Sequence, residues 1–221
     1  MILIDTVYQK VLTFASKEQR GYITPQQFNL FADMAQKEIF EQYFYDLNQL
    51  ARIPGRSEEY SDIVHNINEK IAIFESKATG SPLSLADDMY RLGTVRSNGN
   101  EVEEVQQNEL LYMNNSKLTA PNKDRKVYVR TGDKSIEITP STTSVTYTYV
   151  RVPSKPSWGY VVINERAMHD SSNTINFDLH QAEESELVYR ILAFSGISMK
   201  RPDVTQAAVG METSKVQQEK Q

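Results

Sequence analysis

The chain has no cysteine, only three histidines and one tryptophan, and just nine glycines in 221 residues. Without cysteine there is no disulfide, no thiolate metal site and no cysteine nucleophile, and the redox compartment stays open. The glycines form no G-x-G-x-x-G, no phosphate loop and no G-x-S-x-G elbow. His65, His169 and His180 are scattered and lack the i, i+4 spacing of a metal-binding helix, so they read as surface or capping residues. No apolar run reaches 18 residues, and MILIDTVYQKVLTF lacks a basic start and a small-residue cleavage site. The chain is therefore expected to be neither exported by a signal peptide nor membrane-spanning. Positive charge of the nucleic-acid-binding kind is missing too. The formal net charge is -5 with both signs interspersed, so sequence-specific nucleic-acid binding is not expected.

Asp87 and Asp88 are a carboxylate pair in name only. Adjacent residues of an extended segment face opposite ways, so a turn or cap role is expected. With no base, nucleophile or metal set in a recognisable pattern, the sequence points to a protein without catalytic, cofactor-binding or metal residues.

What is present is helix, then strand, then helix, with 39% hydrophobic residues to build a core. Asp5 is expected to cap a first helix carrying Val7, Val11, Phe14 and Ala15 and ending before Gly21. Thr24, Pro25 and Gln27 make a capping box for a second helix. On that helix Gln26, Asn29, Asp33, Gln36, Lys37 and Glu41 read as the solvated stripe. Phe28, Leu30, Phe31, Met34, Ala35, Ile39, Phe40, Tyr43, Phe44, Leu47 and Leu50 cover the rest, more than one buried face needs. Much of the surplus is covered if this is the central helix of its own bundle, wrapped by helices one, three and the C-terminal one. Tyr43, Phe44 and Tyr45 in succession point in three directions, and for them subunit contact is the sharper alternative. After a turn at Pro54-Gly55, Ser57 is expected to cap a third helix with Ile63, Ile67, Ile71 and Phe74 buried. That makes an N-terminal helical hairpin, ended by KATGSP at residues 77–82.

Beyond it the pattern is β. Strands flank Asn98-Gly99, a short helical turn covers QQNELLYMNN, and KVYVR and SIEITP form a second hairpin. TSVTYTYVRV alternates Val145, Tyr147 and Tyr149 inward. VPSKPSWGY is an extended exit whose Trp158 is expected to pack on the sheet; a ligand-binding surface of Tyr147, Tyr149 and Trp158 is the competing reading. A helix with Leu187, Ile191, Leu192 and Phe194 then ends at a left-handed Gly196. The polar DVTQAAVGMETSKVQQEKQ is expected to be disordered or conditionally helical. The expected class is α+β: a bundle over 1–82, an antiparallel β region over 83–170, a C-terminal helix completing the bundle over 171–199, and an extended or helical tail over 200–221.

The order of these stretches carries a resemblance. RGYITPQQFNLFADMAQKEIFEQYF, LADDMYRLGTV, VEEVQQNELLYMNNSKLTAPNKDRKVYVR, IEITPSTTSVTYTYVRVPSKPSWGY and FDLHQAEESELVYRILAFSGISMKRPDV together resemble the head–tail connector or neck-ring proteins of tailed phages that infect Bacteroidetes, including the crAss-like group. The resemblance implies a virion structural protein without enzymatic activity or cofactor, assembled in the host cytoplasm. It implies a homo-oligomeric ring of twelve copies, bound to the portal and to other tail proteins, with DNA passing through. A stopper or tube component is the neighbouring alternative. The expected interface residues are Phe40, Tyr43, Phe44 and Leu47 on the second helix, with Val204, Met211 and Val216 on the docking tail.

Overall fold

The computed structural model describes residues 1–16, 23–52, 58–198 and 202–219. In chain order its elements are α1 (Ile4–Ser16), α2 (Pro25–Arg52), α3 (Glu58–Ala72), β1 (Glu75–Gly80), β2 (Met89–Ser97), β3 (Asn100–Glu104) and α4 (Gln107–Asn114). There follow β4 (Val127–Gly132), β5 (Ser135–Thr139), β6 (Val145–Arg151), β7 (Tyr160–Ile163), β8 (Arg166–His169), α5 (Glu184–Ser198) and α6 (Pro202–Glu219). The class is α+β. The chain divides into two compact units, residues 74–152 and residues 1–73 with 153–221. This differs from boundaries at 82 and 170 for two reasons. KATGSP does not terminate a helix but continues β1, an edge strand paired along its length with β6. Residues 153–170 leave the β unit and belong with the helices.

In the β unit the sheet order is β1-β6-β2-β3-β4-β5. Asn98 and Gly99 turn at φ 53° and 87°, the left-handed pair that a tight hairpin requires. One pairing departs from the expected antiparallel pattern: β3 and β4 run parallel, because the connection between them crosses over through α4. The sheet also curls. Just after β1, the Ile136 N–H donates to Pro82 O and the Leu85 N–H donates to Lys134 O, each at 2.9 Å, so the chain covers the outer edge of β5. Inside lie Leu85, Val95, Val102, Tyr128, Ile136, Ile138, Val145, Tyr147 and Tyr149. On the other face of β4, Val127 and Val129 pack with Leu110 of α4 and Val105. Strand β4 is thus buried on both sides, while β6 shows the expected alternation of Val145, Tyr147 and Tyr149.

In the helical unit α2 starts as the sequence requires. The Thr24 N–H donates to Gln27 Oε1 at 3.2 Å and the Gln27 N–H donates to Thr24 Oγ1 at 3.3 Å, a reciprocal capping box. Asp5 caps nothing; it lies within α1, where its carboxylate accepts from the Trp158 indole. The start of α1 is instead capped from far along the chain, by Asn176 Oδ1 accepting from the Ile4 N–H at 3.1 Å. α5 contacts α1, α2 and, most extensively, α6. Leu187 and Ile191 are fully buried, and Gly196 sits inside α5, which runs on to Ser198. α6 is helical, the second of the two states expected for the tail. Ser57, the expected cap of α3, lies outside the described residues, as does the Pro54-Gly55 turn.

Candidate assembly surfaces

The solvated stripe assigned to α2 is where the structure departs furthest from expectation. Gln36 is fully buried: its Nε2 donates to Ser154 O at 2.7 Å and its Oε1 accepts from the Asp178 N–H at 3.0 Å. Asn29 clasps the Trp158 backbone, accepting from its N–H at 2.8 Å and donating to its carbonyl at 3.3 Å. Residues 153–158 therefore run as a strap over the polar face of α2, and amide side chains satisfy the strap's backbone groups where no strand partner exists. Phe40 falls on the same face, seven and four residues after Asp33 and Gln36.

This strap decides the fate of the expected interface. Phe40, Tyr43 and Phe44 are buried within the chain itself, Phe40 and Phe44 edge-to-face at 5.1 Å, so they are not surface contacts. Leu47 is half-buried. The side chains of Val204 and Val216 lie outside the described residues, and Met211 is 47% exposed. Helix α2 instead exposes Leu30, Met34 and Tyr45, each by more than half.

Trp158 packs on helix α1 and not on the six-stranded sheet. Its ring lies 4.2 Å from that of Tyr8 and stacks with Tyr160 at 5.8 Å and His169 at 5.7 Å. Its Nε1–H donates to Asp5 at 2.9 Å. At 2% exposure for Trp158, 3% for Tyr147 and 9% for Tyr149, the aromatic ligand-binding surface does not exist.

Trp158 is also the root of a two-stranded ribbon, β7–β8, turned by Asn164 and Glu165 at φ 50° and 61°. A glutamate in that region costs about 1 kcal/mol, which is why no turn was legible there. The root is tightly built. Gly159 donates to Thr174 Oγ1 at 3.1 Å, and a Cβ on it would stand 2.7 Å from the Asp170 carbonyl, so no larger residue fits. Asp170 accepts from the Ser172 N–H at 3.0 Å and the Asn173 amide at 2.7 Å. The Ser172 backbone bond, then Asn173, hold its carboxyl below the usual range. His169 Nε2 lies 3.0 Å from Thr174 Oγ1. Beyond this root, Val161, Val162, Ile163 and Met168 are all at least half exposed, on both faces of the ribbon.

α5 and α6 meet at a buried guanidinium. Arg190 bonds Glu186 at 2.6 Å, Glu38 of α2 at 3.2 Å and Glu212 of α6 at 3.3 Å. Burial opposes its charge, and the carboxylates of Glu186, Glu212 and Glu38 outweigh burial, holding its pKa above the ordinary value. In the β unit, α4 and the loop after it display Leu111, Tyr112 and Leu118, the last 94% exposed. That loop is well braced: Asn122 Oδ1 accepts from the N–H groups of Asp124 and Arg125, and Thr119 Oγ1 donates to Met113 O.

The expected histidine roles fit their positions. His180 accepts from the Ala182 N–H at the turn before α5, and His65 faces Glu69 at 3.5 Å on α3. Asp87 and Asp88 accept through their main-chain carbonyls from Lys134 and from the Val152 N–H. Among the described residues no three His, Asp or Glu side chains are grouped to hold a metal, and no helix is long and apolar enough to cross a membrane. In comparisons with known proteins, the chain matches no family model and no curated sequence.

Proposed function

We propose that the chain is a virion structural protein, a subunit of a ring at the head–tail junction of a tailed phage that links portal to tail and acts by assembly without catalysis. The observation that carries this reading is the β7–β8 ribbon. Four apolar side chains stand in solvent on both faces of a ribbon whose root is locked by Trp158, Asp170 and Thr174. A two-stranded ribbon gains little stability by itself, and exposed contiguous apolar surface on a braced element marks a place of contact. The resemblance of the sequence to neck-ring proteins supplies the setting. A head-to-tail ring needs two different patches on each subunit, and the chain also displays Leu111, Tyr112 and Leu118.

In this reading α2 and α3 form the N-terminal hairpin, α5 completes the bundle, and α6 with Met211, Val204 and Val216 is the segment that docks on the portal. Twelve copies surround the DNA passage in the virion. The interior of the subunit, including Phe40, Tyr43 and Phe44, has no direct part in the contact. The test is a cryo-electron micrograph of the particles that carry this chain, with copies counted around the axis. Twelve-fold density for it between portal and tail is the expected result. Its absence from the neck, or its presence as isolated monomers elsewhere, overturns the assignment.

A further inference from the structure

Among the described residues, β1 is an open edge of the six-stranded sheet and β7 an open edge of the ribbon, and their backbone groups can be assigned. The Arg151 N–H donates to Phe74 O, which makes Phe74–Arg151 a hydrogen-bonded pair of the β1–β6 ladder. Alternation then turns Ser76, Ala78 and Gly80 toward β6 and points the main-chain groups of Glu75, Lys77 and Thr79 away from it. No strand lies on that side in the sheet order, whereas the opposite end of the sheet, β5, is covered by Pro82–Leu85. In the ribbon, the Asp170 N–H donates to Gly159 O, so Gly159, Val161 and Ile163 face β8, while Tyr160 and Val162 point outward.

Natural sheet edges are blunted by charge, proline or a bulge. β7 has none of these: its four residues are Tyr-Val-Val-Ile. β8 by contrast carries Arg166 and His169. β1 carries Glu75 and Lys77 at its open edge, and β7 brings no charge against either.

We infer that β7 of one copy adds to the free edge of β1 in the next copy, extending the six-stranded sheet across the subunit boundary by strand addition. The outward groups of Tyr160 and Val162 meet those on β1 at the same two-residue spacing. Because β7 and β1 are different elements of the chain, the contact is heterologous and propagates around a ring. The inference rests on the ring reading and names the contact that builds it.

The lack of native cysteine makes the test clean. Four double variants of the full chain combine Val161→Cys or Val162→Cys with Ser76→Cys or Lys77→Cys, covering both faces of the joint; cross-strand neighbours come within disulfide reach. The expected result is a ladder of interchain disulfide-linked species in at least one double variant and in no single variant. Dimers of Val162→Cys alone, or a crosslink confined within one chain, overturn the inference. Closed assemblies of the unmodified chain without any crosslink overturn this contact but leave the ring standing. Failure of the unmodified chain to self-associate at any concentration, alone or on the portal, removes both. Val162→Pro deletes an outward N–H without touching a ribbon bond. It is expected to weaken assembly at least tenfold while the thermal midpoint stays put; unchanged assembly counts against the inference.

Discussion

Residues 74–152 build their unit from one uninterrupted stretch, whereas the helical unit joins residues 1–73 to residues 153–221. The first is held by continuous backbone ladders, local in β4–β5 and β2–β3 and longer in reach in β1–β6 and β2–β6, around a shared apolar core. The second depends on single polar ties of long reach: Asn29 to Trp158, Gln36 to Ser154 and Asp178, Asp5 to Trp158, Asn176 to Ile4, and Arg190 to three carboxylates. The difference teaches where each unit is vulnerable. A ladder shares its load over many equivalent bonds, while a buried tie leaves an unsatisfied group or an unpaired charge when either partner is lost.

The largest expected break in this comparison is Arg190→Ala. Glu186 then stays buried without its guanidinium, and the cost is about 3–5 kcal/mol, read as a fall in the denaturation midpoint. Hydrogen exchange should show protection lost in α2, α5 and α6 and kept in 74–152. Replacing both partners, Arg190→Met with Glu186→Leu, should recover most of it, because apolar replacement of a buried pair is close to neutral.

Next is Gln36→Ala. It unties the strap at Ser154 and strips the Asp178 N–H of its acceptor, for a loss of about 2–3 kcal/mol. Exchange should rise over residues 153–158 while the β unit is unmoved. If protection there is unchanged, the strap is held by something other than the amide.

In the β unit the matching change is smaller. Tyr147→Phe leaves the Ala86 N–H without the hydroxyl that accepts from it at 2.9 Å, costing about 1–2 kcal/mol. The effect should be confined to the segment around Leu85 and leave the helical unit intact.

The smallest effect is a titration. Burial, and then the hydrogen bond from its hydroxyl to Glu104 at 3.0 Å, push the Tyr128 pKa up to about 12. The ordinary value is about 10, so the folded state favours the neutral phenol. Its contribution to stability is complete below pH about 10 and is lost as pH rises from there through about 12. Absorbance near 295 nm should show a tyrosine ionising late, and Glu104→Gln should bring that step down. No movement of the step would detach the shift from Glu104.

How much was legible follows the same division. The Thr24–Gln27 capping box, the Asn98-Gly99 turn, α4, the β4–β5 hairpin and the inward set Val145, Tyr147 and Tyr149 can be read from the sequence because their causes lie within a few residues. β1 was missed because Ala, Thr, Gly and Ser at 78–81 carry loop chemistry, and pairing with β6 overrode it. The β7–β8 turn was missed because Glu165 occupies a conformation that sequence preference assigns to other residues.

The expected interface on α2 failed for a related reason. Hydrophobicity counts how much of a helix can be covered, not from which side or by what. Asn29 and Gln36 look like solvent residues, yet Gln36 is fully buried and Asn29 partly so, because a strap more than 100 positions away presents backbone groups that their amides satisfy. With that face closed, Phe40, Tyr43 and Phe44 become core, and Leu30, Met34 and Tyr45 are left outside. The α+β class, the start of α2 and the strand alternation follow from the amino-acid order, since each depends on neighbours in the chain. Which face of α2 is interior, where Trp158 anchors and which strand edges stay open come from the folded arrangement, since each depends on a partner that local chemistry does not specify.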